Sequence, residues 1–140
     1  MQIDPALYES VNQLAETLMD AAEKDQHNRY FDLYAELEAL AEDIKETDKD
    51  HPYVLETLGD FTLDDEDAID VYERALELAD AMNLPECRAS IQLAIADRYL
   101  EIGDHEAARN YADETERSLD KVQNEGLRQE LAELRRDLGQ

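Results

Sequence analysis

The stretch IQLAIADRYLEIGDHEAARNYA, residues 91–112, carries the pattern that decides the fold. Apolar residues recur at steps of three and four on both sides of Gly103, as they do along one face of an α-helix. Gly103 interrupts the pattern, and glycine is the residue that most easily adopts the left-handed conformation that ends a helix. Ala96 and Ala108 lack bulk where two helices would cross, and Tyr99 has the size to fill the space beside them. The stretch therefore predicts two helices packed closely around a glycine turn.

The helical pattern extends outward from this stretch to both ends of the chain. Apolar residues keep steps of three and four almost throughout, and no segment alternates with period two for long enough to predict a strand. The sequence therefore predicts the all-α class, with about seven helices and short connections that favour antiparallel hairpins. The predicted units are a degenerate first pair at 5–46, a second pair at 52–82, a third pair at 85–122 and a single last helix at 127–138.

Several helix starts carry recognisable capping residues. Asp4 before Pro5 predicts the start of the first helix, because a carboxylate can accept a free N–H of the first turn. Thr62 is followed three residues later by an acidic residue, which is a capping-box spacing, and is predicted to begin the fourth helix. Asn83 before Pro85 predicts the start of the fifth helix, with the asparagine as its cap.

The small residues and aromatics of the third pair recur in the second pair. Gly59 comes first, and Ala68 and Tyr72 follow in the next helix. The first pair repeats the pattern weakly, without a glycine at its turn. This arrangement resembles the tetratricopeptide repeat, a helix pair with small residues at the crossing, an aromatic beside them and a glycine at the turn. The resemblance covers residues 5–120 and is most specific over 52–117.

The resemblance implies a right-handed superhelix of antiparallel helix hairpins, in which the first helix of each pair lines a concave groove. It also implies that the last helix caps the array, with Leu127, Leu131 and Leu134 covering the pair before it. Carried over position by position, the groove comprises Glu16, Met19, Tyr53, Glu56, Asp60, Leu93, Asp97, Leu100 and Glu101. None of these is Lys or Arg, whereas family members that clamp a terminal carboxylate use basic groove residues. The resemblance therefore implies an acidic groove for a basic or apolar segment of a partner protein.

The chain is strongly acidic, with 37 Asp and Glu against 13 Lys and Arg and a formal net charge of -24. A nucleic-acid binder needs clustered Lys and Arg, and an anionic membrane would repel this chain, so neither is a predicted partner. The sequence leaves a homo-oligomer open. The first residues show no signal peptide, and no apolar run approaches the length of about 18 residues that a membrane helix needs. The predicted location is therefore the cytoplasm.

Residue types that carry catalysis or bind metals are sparse. The 3 histidines stand alone, without a second histidine at metal-ligand spacing. Cys87, the single cysteine, falls on the apolar side of a predicted helix and is predicted to be a buried thiol. We therefore predict that the protein is not an enzyme and binds no cofactor or metal. Three non-catalytic functions remain: an adaptor or scaffold for a protein segment, an acidic inhibitor or immunity protein that masks a basic toxin or nuclease, and a small secretion chaperone.

Overall fold

Seven α-helices account for most of residues 2–140, the part of the chain that the computed structural model describes. They are α1 (Pro5–Glu23), α2 (His27–Ile44), α3 (Pro52–Asp60), α4 (Asp65–Ala81), α5 (Pro85–Ile102), α6 (His105–Leu119) and α7 (Glu125–Asp137). No strand occurs within this range, so the predicted all-α class is confirmed. None of these seven helices combines the length and the apolar character that a membrane span requires.

The start of α1 and the turn between α5 and α6 form as the sequence predicts. Asp4 caps α1, because its carboxylate accepts the N–H of Leu7 at 3.0 Å. Gly103 ends α5 with a φ of 93°, in the left-handed region that glycine enters without strain. Asp104 follows at once and caps α6 by accepting the N–H of Ala107 at 3.1 Å. This tight turn lets α6 pack back against α5.

The predicted caps of α4 and α5 are wrong. The cap of α4 is Asp64, whose carboxylate accepts the N–H of Asp67 at 2.9 Å. Thr62 instead donates its hydroxyl to the carbonyl of Leu58 at 2.8 Å and so remains bound to the helix that it leaves. Asn83 has a φ of 55° and closes α4, because asparagine tolerates the left-handed conformation that ends a helix. The residue after it begins α5 without a side-chain cap.

The odd-numbered helices pack differently from the even-numbered helices. Each helix packs on its neighbours in the chain, and in addition α1 approaches α3, α3 approaches α5 and α5 approaches α7. Within residues 2–140, the backbones of α2, α4 and α6 make no such approach to one another, although the long side chains of Arg74 and Glu42 meet between α4 and α2. The odd-numbered helices therefore form one continuous layer, the odd-helix layer, whereas the even-numbered helices are spaced further apart.

Helix α5 is buried on two sides and joins two hydrophobic clusters. Its Ile91 and Ile95 belong to a cluster that extends over α1 to α4. Its Leu93 and Ala96 belong to a second cluster with α6 and α7. Ala96 and Ala108 are both fully buried, as predicted for small residues at a helix crossing. With both sides covered, α5 leaves exposed a narrow polar stripe and, at its last residue, Ile102, and the candidate site includes the polar stripe.

A close approach also joins α3 to α4. The ring of Tyr72 lies directly on Gly59, where an added Cβ atom would stand 2.5 Å from the ring carbon Cε1. The Tyr72 hydroxyl donates to the Asp60 carboxylate at 2.6 Å. Arg98 of α5 donates to the carbonyl of Gly59 at 3.0 Å, where a cation is favourable at the end of a helix. These contacts fix the end of α3, and with it the position of Asp60.

Helix α7 covers the side of α5 and α6 that faces away from the rest of the chain. It begins two residues before the predicted start at 127, because Asn124 caps it by accepting the N–H of Leu127 at 3.0 Å. The leucine stripe of α7 packs on the second cluster, with Leu131, Leu134 and Leu138 buried and Leu127 half-buried. Arg135 ties the helix to α6 through Asp113, at 3.2 Å. This docking also brings the acidic side of α7 next to α5.

Candidate protein-binding face

Acidic side chains from α3, α5 and α7 converge on one face of the odd-helix layer. They are Glu56 and Asp60 of α3, Asp97 and Glu101 of α5, and Glu130 and Asp137 of α7. We call this set the acidic face. The charge of Glu130 acts on both Glu56 and Asp97. The acidic face is therefore continuous from the third helix to the last.

Glu56 is the most enclosed of these carboxylates. It accepts a hydrogen bond from the Ser90 hydroxyl of α5. Burial is the main cause that raises the pKa of Glu56 to about 7, and the charges of Asp60 and Glu130 add to it, while the Ser90 hydrogen bond opposes the shift. Near neutral pH this carboxyl is therefore only partly ionised, and a bound cation would favour its ionised form.

Asp97 and Asp60 show the same effect. Burial, followed by the charges of the α7 carboxylates and of Glu101, raises the pKa of Asp97 to about 6, and Arg98 opposes the shift. Burial also raises the pKa of Asp60, against the hydrogen bond from Tyr72 and the charge of Arg98. Both aspartates keep contact with solvent, so that a ligand can reach them.

The predicted groove residues of α1 and the start of α3 lie further along the same layer. Glu16 and Met19 are exposed on α1. Tyr53 is half-buried, since its ring centroid lies 5.2 Å from that of Tyr8 and its hydroxyl donates to the side chain of Asn12. Tyr53 therefore joins α3 to α1 and offers a partner only part of its ring.

Leu93 and Leu100 do not line this face, and their predicted place in the groove is corrected. Leu93 is 3% exposed and Leu100 is half-buried, and both pack in the cluster with α6 and α7. Helix α7 covers the side of α5 that carries them, whereas Asp97 and Glu101 stay exposed on the adjoining side. The contribution of α5 to the acidic face is consequently polar rather than mixed with leucine.

Two members of the acidic face, Glu130 and Asp137, are missing from the sequence prediction. They lie seven residues apart, which places both on the same side of a helix after two turns. They also adjoin the leucine stripe that docks α7. Their spacing could have identified them, had the last helix been treated as part of the binding surface rather than as a cap alone.

Charges on the outer helices are arranged differently. Arg74 of α4 pairs with Glu42 of α2 at 3.5 Å, and Arg135 of α7 pairs with Asp113 of α6 at 3.2 Å. We call these the outer ion pairs. On the acidic face, Arg98 is the cation whose charge acts on Asp60 and Asp97. Glu42 and Asp113 thus each lie within ion-pair distance of an arginine, whereas Asp60 and Asp97 are both under the charge of Arg98.

The chemistry that this face can perform is electrostatic. Within residues 2–140, no three His, Cys, Asp or Glu side chains are arranged to hold a metal ion. Burial, together with the charges of Glu56 and Glu86, raises the pKa of the nearby Cys87 thiol. A protonated thiol is a poor nucleophile at neutral pH. The face can instead attract a cationic group and release protons as that group binds.

Comparisons with known proteins give this chain no relative. No protein-family model matches it, and no curated protein and no solved structure matches it. The function must therefore be argued from the geometry and charge of the site itself.

Proposed function

We propose that this chain is a tetratricopeptide-like interaction module that binds a basic or amphipathic segment of a partner protein on its acidic face. The observation that carries the proposal is the convergence of carboxylates with raised pKa values from α3 and α5, beside those of α7. Carboxylates that are ionised side by side repel one another and lower the stability of the free protein. A cationic ligand removes this repulsion, which raises both its association rate and the specificity of binding.

The packing of the helices supports the repeat architecture on which this proposal rests. Gly59 admits the ring of Tyr72, and Ala96 and Ala108 lie fully buried where α5 meets α6. These are the roles that the repeat motif assigns to its small residues. The continuous odd-helix layer is the arrangement expected when the first helix of each pair lies on the inside of a superhelix.

A test of the proposal compares two matched charge reversals. Asp97 and Glu101 lie one helical turn apart on the acidic face, and Glu73 and Glu77 have the same spacing on α4, where both are exposed. Each pair is replaced by lysine. Tagged wild type and both variants are incubated with native lysate at low and high salt, and the captured proteins are quantified by mass spectrometry.

We expect the Asp97→Lys, Glu101→Lys variant to lose the captured proteins that high salt also removes, and the Glu73→Lys, Glu77→Lys variant to retain them. We expect this variant to remain folded, because the change at Asp97 replaces repulsion from Glu130 and Asp137 by attraction. If both variants lose the partner equally, or only the α4 variant does, the acidic face is not the binding site. A folded basic toxin or nuclease among the captured proteins would identify the chain as an inhibitor rather than an adaptor.

A further inference from the structure

Four of the five exposed large hydrophobic side chains within residues 2–140 lie toward one edge of the helix array. Met19 and Phe31 are each 55% exposed, Leu63 is 67% exposed and Ile102 is 42% exposed. They lie near the end of α1, near the start of α2, in the α3–α4 connection and at the last residue of α5, respectively. All four therefore lie where odd-numbered helices end and even-numbered helices begin. We call this set the apolar edge.

Contacts from α2 hold one half of the apolar edge in place. Tyr30 packs edge-on against Phe31, with ring centroids 5.9 Å apart, and donates its hydroxyl to the carbonyl of Phe61 at 2.6 Å. The hydroxyls of Tyr34 and Thr62 are hydrogen-bonded at 2.7 Å. Both bonds fix the α3–α4 connection immediately before Leu63. The aromatic and the leucine are thus presented by rigid neighbours, which reduces the entropy lost when a ligand binds.

Arg98 supports the other half of the apolar edge, which contains Ile102. Its guanidinium, one turn before Ile102, donates to the Asp65 carboxylate at 3.0 Å and to the Gly59 carbonyl at 3.0 Å. The end of α5 is thereby tied to the connection that carries Leu63. Hydrogen bonds thus connect the segments that carry Phe31, Leu63 and Ile102, and hold these segments side by side.

Exposed carboxylates flank the segments of this surface, and three of the cations near it are already paired. Acidic residues that are exposed around the edge include Asp32, Asp60, Asp64, Glu66, Glu101 and Asp104. Lys24 and Arg29 both pair with Asp20, at 3.2 Å and 2.9 Å. Arg98 pairs with Asp65 at 3.0 Å. The edge therefore offers apolar contact inside a negatively charged margin.

We propose that the apolar edge docks a basic amphipathic helix of a partner protein. An apolar stripe on such a helix would cover Phe31 and Leu63, and its lysine or arginine residues would meet the surrounding carboxylates. A second copy of this chain fits poorly, since each copy carries a net charge of -24 and would bring the same acidic margin to the contact. The apolar edge shares Asp60 and Glu101 with the acidic face, but its apolar side chains, and the contacts proposed for them, do not depend on the function proposed above.

Synthetic peptides of defined charge test this inference. The first probe is a peptide of about 18 residues, five helical turns, with leucine along one side and lysine elsewhere. The second probe has serine in place of each leucine and the same charge. Affinities are measured by isothermal titration calorimetry for wild type and for the Phe31→Ser, Leu63→Ser variant. The matched control is Tyr8→Ser, which removes an aromatic that is 47% exposed on α1, far from the edge.

We expect the Phe31→Ser, Leu63→Ser variant to bind the leucine–lysine peptide about tenfold more weakly than wild type, because two large apolar contacts are lost. The Tyr8→Ser control should bind it as wild type does, and all three proteins should bind the serine–lysine peptide equally weakly. The tenfold change should persist when Asp97→Lys is added, because Asp97 belongs to the acidic face and is not among the carboxylates around the edge. Circular dichroism confirms that the variants remain folded.

Three results would overturn the inference. In the first, all three proteins bind the leucine–lysine peptide equally. In the second, the edge variant and the Tyr8→Ser control weaken binding by the same factor. In the third, sedimentation velocity shows a wild-type dimer that the Phe31→Ser, Leu63→Ser variant abolishes, since a second copy would then be the occupant of the edge.

Discussion

Carboxylate side chains have different surroundings on the acidic face and in the outer ion pairs. On the outer helices, Glu42 and Asp113 each have an arginine from a neighbouring helix within ion-pair distance. On the acidic face, carboxylates of α3, α5 and α7 lie near one another, and burial together with neighbouring carboxylate charges raises the pKa values of Glu56 and Asp97. The charges of Glu42 and Asp113 are compensated within the chain, whereas we propose that a ligand compensates those of the acidic face.

The two arrangements have different effects on the stability of the fold. Exposed ion pairs contribute about 0–1 kcal/mol each, so the outer pairs are a small benefit to the fold. A partly buried carboxylate with a raised pKa lowers the stability of the folded state whenever it is ionised. Groups with perturbed pKa values are concentrated at functional sites, since folding alone gives no reason to keep them. The proposed binding function would account for the unfavourable electrostatics of the acidic face.

The largest effect on stability is expected from a substitution that undocks α7. This helix supplies Glu130 and Asp137 to the acidic face and Arg135 to an outer ion pair. Leu131 is 6% exposed, and Leu131→Asp places a carboxylate among leucines. We expect the free energy of unfolding to fall by about 3 kcal/mol or more. Urea denaturation measures the loss, and Gln129→Asp makes the same change of charge at an exposed position of α7. An equal effect of the two substitutions would contradict the packing role of Leu131.

A smaller effect is expected where α4 supports the acidic face through Tyr72. Gly59→Ala would force the Tyr72 ring away from α3 and weaken its hydrogen bond to Asp60. Overpacking of this kind lowers stability by about 1–3 kcal/mol. In a Tyr72→Leu background the same alanine should be much less harmful, because the ring that it meets is gone. Additive losses in this double-mutant cycle would show that Gly59 and Tyr72 do not interact.

Local patterns were sufficient to predict the helices. Pro5, Gly103 and the spacing of apolar residues act within a turn or two, so a single sequence contains the information that places them. The two wrong cap predictions, at Thr62 and Asn83, also concern contacts between residues close in sequence. Each residue lies between two helices and binds the one that it leaves, and the capping pattern alone does not decide between them.

The surface of α5 could not be predicted in the same way. Leu93 and Asp97 are four residues apart and therefore point in directions that differ by only about 40° around the helix. Which of them is covered depends on where α7 docks, and that is a long-range contact. The family resemblance assigns both to the groove because it treats the last helix as a cap. Glu130 was missed for the same reason.

Acidity itself provides the next test. The folded state holds a proton on Glu56 up to a pH of about 7, whereas a carboxyl with the ordinary pKa of 4.5 loses it earlier. Between these values the folded state binds more protons than the unfolded chain, so stability falls as the pH rises through the window and stays lower above it. Asp97 and Asp60 act in the same direction. We expect the protein to be more stable at pH 5.5 than at pH 8 by about 1–2 kcal/mol.

Glu56→Gln assigns this dependence to the acidic face. The amide keeps an acceptor for Ser90 but carries no charge, so the variant should be about 1 kcal/mol more stable than wild type at pH 8 and nearly equal to it at pH 5.5. The matched control is Glu42→Gln, which removes a carboxylate from an outer ion pair. Urea denaturation at the two pH values gives the comparison. If Glu42→Gln flattens the pH dependence as much as Glu56→Gln does, the enclosed carboxyl is not its source.

Salt is the mildest probe of the comparison, because it weakens the attraction in the outer ion pairs and the repulsion on the acidic face at the same time. Raising KCl to about 1 M shortens the Debye length to roughly 3 Å. The repulsion should dominate, since 37 acidic residues stand against 13 basic ones. We therefore expect the Tm of the wild type to rise with salt, by an amount equivalent to less than about 1 kcal/mol. The rise should be smaller in Asp97→Asn than in wild type, and in Glu42→Gln it should be at least as large as in wild type. Both substitutions remove one negative charge, so a difference between them reports the surroundings of that charge rather than its number. Differential scanning calorimetry across the salt range measures all three proteins, and a midpoint that falls with salt would show that the outer attractions outweigh the repulsion on the acidic face.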